Sequence, residues 1–364
     1  MSRTYDVAVI GAGIAGASVA YQLKQLGQSV AVIDQGPLCN GASGAAGAFI
    51  SPMLGKPNPL KTFTNDAFAY STKLFKELVG DGFIQNGVLR LPKDERDEPF
   101  FKELEQFIDL PYEKREGGYF FEAAGVIPPD IILPSMLEGC DCYFEHRVDK
   151  LERNHTDEAW QFDGLCARNV VLATGGYEPL VTFPYPIMRG VWGERICVET
   201  PTRTTHNYHK KVSISTTVNN SQLLIGATHK KNHDWSVDAN APKELLEKAQ
   251  EILVIENPTV LEIKAGMRPG SVDYYPILGA VPDIEKNIAE FETICHGTKV
   301  PRERLHYLPG LYLHTGHGGR GFVTSPLSAR MLAERIVEKR PLPENLDAVR
   351  FFYRWMRRDY SKQK

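Results

Sequence analysis

Glycines are the residues whose spacing first points to chemistry. Gly11-Ala12-Gly13-Ile14-Ala15-Gly16 has the pattern that turns a chain sharply and presents backbone N–H groups to phosphate. Asp34 follows roughly 20 residues on, where a carboxylate can accept the hydroxyls of a ribose. The three glycines differ in what they do: Gly11 makes the tight turn, Gly13 lets the backbone approach phosphate, and Gly16 lets a helix pack closely on a strand. The expected ligand is a dinucleotide with its pyrophosphate on a helix N-terminus, touching Ile14 and Ala15 as well as the glycines, and Gln35 beside Asp34.

The flanking elements give the motif its weight. Residues 5–10 read as a short apolar strand, and residues 14–26 carry apolar positions at helical spacing until Gly27. A second strand over 29–33 ends on the acid. Without these flanks the glycines would predict only a turn; with them, the competing reading is an empty doubly wound domain.

Later turns indicate which dinucleotide. Residues 40–47 are nearly all small, and Ala42, Ser43 and Gly44 could pass under a flat cofactor. An apolar strand over 169–174 leads into Ala173, Thr174 and Gly175. A strand over 311–314 runs into a third turn containing Gly316, Gly318, Gly319, Arg320, Gly321 and Phe322, and a helical pattern follows over 326–339. With Val148, these residues form the expected contacts of one long cofactor, FAD, held without a covalent bond. A second Gly-x-Gly-x-x-Gly unit, which a nicotinamide-dependent reductase of this build would want, is not visible, so electrons are expected from the substrate.

The chain has 364 residues and a formal net charge of −3, so its global charge makes no case for nucleic acid, and any such case must be local. The sequence enters its first strand almost at once and has no apolar run of the roughly 18 residues that span a membrane, which predicts a cytoplasmic location. The six cysteines include one close pair, Cys140 and Cys142, with no partner pair or histidine cluster for zinc; no metal is expected.

No repeat or low-complexity linker divides the chain. The fold class expected is α/β: an FAD-binding Rossmann-like domain of the glutathione-reductase type over 1–60, 140–182 and 305–345, interleaved with an α+β substrate domain over 61–139 and 183–304. Helical patterns dominate 63–107, strands 187–228 (for example 211–218 and 222–227), and a helix 242–254. Residues 346–364 form a basic tail.

Together, the Gly11 turn, Thr174-Gly175, the segment Ala265-Gly266-Met267-Arg268-Pro269-Gly270 and residues 316–322 resemble the D-amino acid oxidase and glycine oxidase superfamily of FAD enzymes. Residues 41–44 and 47–54, the long connection over 282–308 and the basic tail are most similar to the oxidase domain of the bifunctional tRNA wobble-uridine modification proteins. The methyltransferase domain of those proteins has no counterpart here, so only the oxidative half is expected, with a separate methyltransferase acting on the product. The resemblance implies hydride transfer from the carbon beside an amine, then hydrolysis of the imine. The substrate implied is carboxymethylaminomethyluridine, in effect an N-substituted glycine.

That chemistry needs a carboxylate anchor. Arg268 and Arg320 are the candidates, because a guanidinium fork grips a carboxylate through two hydrogen bonds; the alternative for each is a structural pair with an acid such as Asp273. Tyr275, or its neighbour Tyr274, could bond the same carboxylate, and His314 and His317 flank the last glycine turn. Lys56 and Lys61 are too few to make a phosphate-binding patch. In the tail, Arg350, Arg354, Arg357 and Arg358 share one helical face that could meet tRNA phosphates, opposite Phe352, Trp355 and Met356. Two other readings share the flavin motifs: an oxidase of free glycine, sarcosine or D-amino acids, and a non-catalytic flavoprotein.

Overall fold

A computed structural model describes residues 4–154, 158–176, 180–185, 187–231, 235–296 and 298–358. The first strand, Thr4–Ile10, is almost wholly buried and lies between two parallel neighbours, Val30–Ile33 and Leu165–Leu172. Strands covered on both faces read as continuous apolar runs, as the buried ends over 7–10 and 170–172 and the whole of 30–33 do. The parallel set extends to Asp141–Tyr143 on one side and Tyr307–Thr315 on the other. Ile277–Pro282 closes that side antiparallel, so this sheet draws on a stretch expected to belong to the second domain.

The glycine turn leads into helix Ile14–Gln25, which packs with Gly321–Glu338 on one face of the sheet. The latter helix begins five residues before the expected start, leaving Pro326 inside it. Helix Pro59–Val79 covers the same layer, but the rest of the stretch expected to be helical holds strand Val88–Arg90 as well as a short helix, Glu98–Glu103. On the opposite face, the terminal helix Val349–Arg358 buries Phe351, Phe352, Trp355 and Met356 in a core shared with Tyr5, Ile33 and Leu172.

Among the described residues the second sheet has eight strands and is antiparallel except where Asn207–His209 runs parallel to Val88–Arg90. Its spine is the long pair Met188–Glu199 and Thr259–Ser271, registered from Met188 opposite Ser271 to Glu199 opposite Thr259. Of the strand expected over 211–218, only Ser213–Ile214 pairs. Helix Ala241–Gln250 covers this sheet through Leu245 and Ala249.

Candidate active site

A cavity of about 1520 Å³ is lined by residues of both sheets. It exceeds the roughly 300–1,000 Å³ of a site for one drug-sized ligand, leaving room for a dinucleotide and a substrate. One end is built by the first glycine turn. Gly11 has φ +107°, and a Cβ there would lie 2.4 Å from the Ala173 carbonyl oxygen, so only glycine allows the end of the first strand to pass the end of Leu165–Leu172. At Gly16 a Cβ would fall 1.8 Å from the Gly11 oxygen, which is the close helix–strand approach expected of it. Asp34 holds this turn: Oδ2 accepts from Ala12 N–H at 2.7 Å and Oδ1 from Gly36 N–H at 2.9 Å. A carboxylate has about four acceptor positions, so two are left for ribose hydroxyls. The Ser43 hydroxyl accepts from Ile14 N–H at 3.0 Å, tying the second small-residue turn to the helix N-terminus with its own proton free to donate.

The expected cofactor contacts converge on this cavity. Gly11, Gly13, Ile14, Ala15, Asp34, Gln35, Ala42, Ser43, Val148, Ala173, Thr174 and Gly175 line it, as do Gly316 and residues 318–322. Gly16 and Gly44 lie behind the wall; a Cβ at Gly44 would meet the Cys39 oxygen at 1.5 Å, so its role is backbone packing. Gly266 stands out only in the structure: a Cβ there would lie 2.6 Å from Ala42 Cα, so only glycine lets the long strand pass this close to the second small-residue turn. Among the described residues His317 Nε2 is buried without a hydrogen-bond partner at the last turn, a polar atom that a heteroatom-rich ring system would satisfy. The glycine cradle and this orphaned nitrogen fit FAD.

The opposite end is cationic. Arg268 sits on the long strand opposite Val191, and its Nη2 occupies space that a Cβ at Gly193 would contest at 2.1 Å. The guanidinium donates to the carbonyls of Thr228 and, at 3.4 Å, Trp192, and Nη1 lies 3.2 Å from His229 Nε2. Buried Glu194 fixes that frame: it accepts from Thr228 Oγ1 at 2.5 Å and from Asp238 N–H at 2.9 Å, and pairs with Lys230. Burial alone would raise the Glu194 pKa, but these donors outweigh it and hold the carboxyl below its usual range. Burial lowers the pKa of Arg268 and of Arg320, and among the described residues no carboxylate compensates either.

Sequence reasoning missed Arg90 and His209, which face each other in register on neighbouring strands and line the same end. Nothing local marks Arg90; it arrives through sheet pairing. Burial, with the Arg320 charge adding, pushes its pKa down to about 9. Burial and the charges of Arg90 and Arg320 hold His209 well below the usual histidine value, and burial and Arg268 lower His229.

Three expectations need correction. Tyr275 does not line the cavity; it packs beside Phe63, Leu278 and Leu342, while Tyr274, at φ +71° and 72% exposed, turns to the cavity instead. Asp273 pairs with neither Arg268 nor Arg320 but with Arg350, bidentately at 2.8 and 3.0 Å. Arg350 also donates to the Tyr275 and Leu346 carbonyls, so it is a structural clamp, and only Arg354, Arg357 and Arg358 remain on the exposed face. Asp359 and Tyr360 lie outside the described residues. His314 is satisfied by the Ala15 carbonyl and the Ser328 hydroxyl. Among the described residues no side-chain group could hold a metal, and no helix is long and apolar enough to cross a membrane.

Comparison with known proteins agrees with this geometry. The chain is 25% identical to the tRNA 5-methylaminomethyl-2-thiouridine biosynthesis bifunctional protein MnmC of Pseudomonas putida KT2440, over 93% of this chain and 58% of that protein. The MnmC protein of Dichelobacter nodosus is 28% identical over 93% of the chain and 56% of its own length. The chain therefore spans under two thirds of these relatives. Among solved structures, glycine oxidase from Bacillus cereus ATCC 14579 has the same fold, with a TM-score of 0.74 at 20% identity over 93% of this chain and 96% of that one. Iminodiacetate oxidase from Chelativorans sp. BNC1 gives 0.71 at 20% identity, over 93% and 97%. Residues 6–335 match the model of the family described as DAO, FAD dependent oxidoreductase, and the chain belongs to that family of FAD-dependent enzymes.

Proposed function

We propose that this oxidoreductase, acting on amine CH–NH bonds, removes the carboxymethyl group of 5-carboxymethylaminomethyl(-2-thio)uridine at the tRNA wobble position. The products are 5-aminomethyl(-2-thio)uridine and glyoxylate. The observation that carries the reading is Arg268, a guanidinium in the cavity wall held by two carbonyls and no carboxylate, in a slot opened by Gly193. A desolvated cation without a counter-charge calls for an anion, and the carboxylate of an N-carboxymethyl group supplies one. Arg320, whose side chain makes no hydrogen bond among the described residues, stands at the adjoining turn as a second cation.

Bound FAD supplies the two-electron acceptor. Gripping the carboxylate in a planar fork fixes the methylene carbon next to it. Loss of a hydride from that carbon leaves a C=N bond; water adds to the carbon, the C–N bond breaks, and the primary amine and glyoxylate separate. The amine must arrive neutral. The three arginine charges at this end disfavour an added proton on the substrate nitrogen, so the wall itself favours the reactive form without a protein base.

Exposed rings support an RNA substrate. Tyr274 and Trp235, 72% and 49% exposed, stand on the lining, and unpaired bases stack on such side chains. The names of the MnmC relatives point the same way. The test is mass analysis of wobble nucleosides from cells lacking the protein, where carboxymethylaminomethyluridine should accumulate. An unchanged nucleoside profile, with purified enzyme oxidising glycine, sarcosine or a D-amino acid, would establish the free-amine reading instead.

A further inference from the structure

One carboxylate does not account for the charge at the substrate end. Arg90, Arg268 and Arg320 all line it, and none pairs with a carboxylate among the described residues. The acids on the cavity wall, Asp34 and Asp149, stand with Gln35, Arg147 and Val148 at the cofactor end, and the nearby Lys211 already pairs with Glu251 at 2.9 Å. If Arg268 takes the substrate carboxylate, Arg90 and Arg320, which line the same cavity and feel each other's charge, still have no protein carboxylate to answer them among the described residues.

Their donors are also unspent. Arg90 Nη1 donates to the Pro52 carbonyl at 3.1 Å and lies 3.4 Å from Ser51 Oγ, but Nε is buried without an acceptor. Arg320 has no side-chain partner among the described residues. His209, bonded through Nδ1 to Ser213 Oγ at 2.7 Å, sits across from Arg90 as a further neutral polar wall. Buried guanidinium donors are ordinarily paired, and two like charges facing one cavity raise the cost of leaving them open.

We propose that Arg90 and Arg320 form a second anion site, so that the substrate carries two oxyanions: the carboxylate on Arg268 and another carboxylate or a phosphate between Arg90 and Arg320. This rests on the amine-oxidase reading above and narrows its substrate class. On tRNA the second anion is a phosphate next to the wobble ribose; on a free amine it is a second carboxylate.

Two matched pairs separate these sources. N-methylglycine against iminodiacetate tests the carboxylate, and carboxymethylaminomethyluridine against its 3′-monophosphate tests the phosphate. In the parent holoenzyme the doubly charged member of one pair should have kcat/KM about 10- to 150-fold higher, the value of a hydrogen bond to a charged partner. Arg90→Gln should cut that ratio at least about tenfold, and Arg90→Lys should restore part of it. Ratios near one in both pairs for the parent, or an unchanged ratio in Arg90→Gln, would overturn the second site. A readout without turnover keeps the two readings apart: malonate should raise the melting temperature of the holoenzyme more than acetate, and Arg90→Gln should erase the difference. Malonate stabilisation with no oxidation of any of the four amines would keep the anion site and reject the oxidase reading; oxidation without any diacid preference would do the reverse.

Discussion

Replacing Arg268 by alanine separates substrate binding from folding. Its guanidinium contacts are two carbonyls and one neutral histidine, and no acid loses a partner when it is removed. Cavity water can reach the freed Thr228 and Trp192 carbonyls, so the folding cost is that of ordinary hydrogen bonds, about 1–2 kcal/mol. In a chain of this size that lowers the melting temperature by only a few degrees. The substrate carboxylate, by contrast, loses a charged partner in a desolvated wall, which costs about 2–5 kcal/mol. At about 1.36 kcal/mol per tenfold, kcat/KM should fall by about 30- to 5,000-fold. Arg268→Lys keeps the charge but not the fork and should fall between the two. The assay is anaerobic reduction of bound flavin by substrate, read at its absorbance, alongside the flavin-to-protein ratio. A variant with normal flavin content and kcat/KM within about threefold of the parent would place the anchor elsewhere.

Other consequences follow from the same contacts. No cysteine lines the cavity among the described residues, so acid precipitation should release all the yellow flavin into the supernatant, and colour in the pellet would contradict noncovalent binding. Asp34→Ala frees the Ala12 and Gly36 N–H groups as well as the ribose, and gel filtration should strip flavin from it faster than from the parent. His314 is fully buried and its pKa falls to about 4 from the ordinary 6.5, so between these values only the unfolded chain takes the proton. Stability should therefore be full above about pH 6.5 and decline toward pH 4, by on the order of 3 kcal/mol from this group; His314→Asn should flatten the fall in melting temperature between pH 7 and 4.5, and parallel curves would refute it. Charge reversal at exposed Arg354, Arg357 and Arg358 should reduce the salt dependence of tRNA binding by roughly 0.7 to 0.9 in log–log slope per phosphate contact, while equal slopes would assign the tail to packing alone.

What the sequence disclosed and what it hid divide along the range of the interactions. The glycine turns were legible because their requirements are local: Gly11 needs a positive φ and Gly16 a missing Cβ, and both follow from a strand meeting a helix within a few residues. Arg268 was legible because it stands in the Ala265–Gly270 segment that carries the family resemblance, although the proline after it does not end its strand, which runs on in register to Ser271. Tyr274 and Tyr275 could not be told apart, since the left-handed backbone at Tyr274 breaks the alternation that would have assigned their faces. Periodicity placed Arg350 on one face with Arg354, Arg357 and Arg358, but could not reveal that the loop bearing Asp273 covers the first turn of that face. Arg90 shows the limit most plainly. It ends a three-residue strand far upstream of Arg268, and becomes part of the site only because Asn207–His209 pairs alongside it and draws it toward Arg320. An unpaired charge is a property of the assembled wall, visible only when every acid that could have answered it has been placed elsewhere.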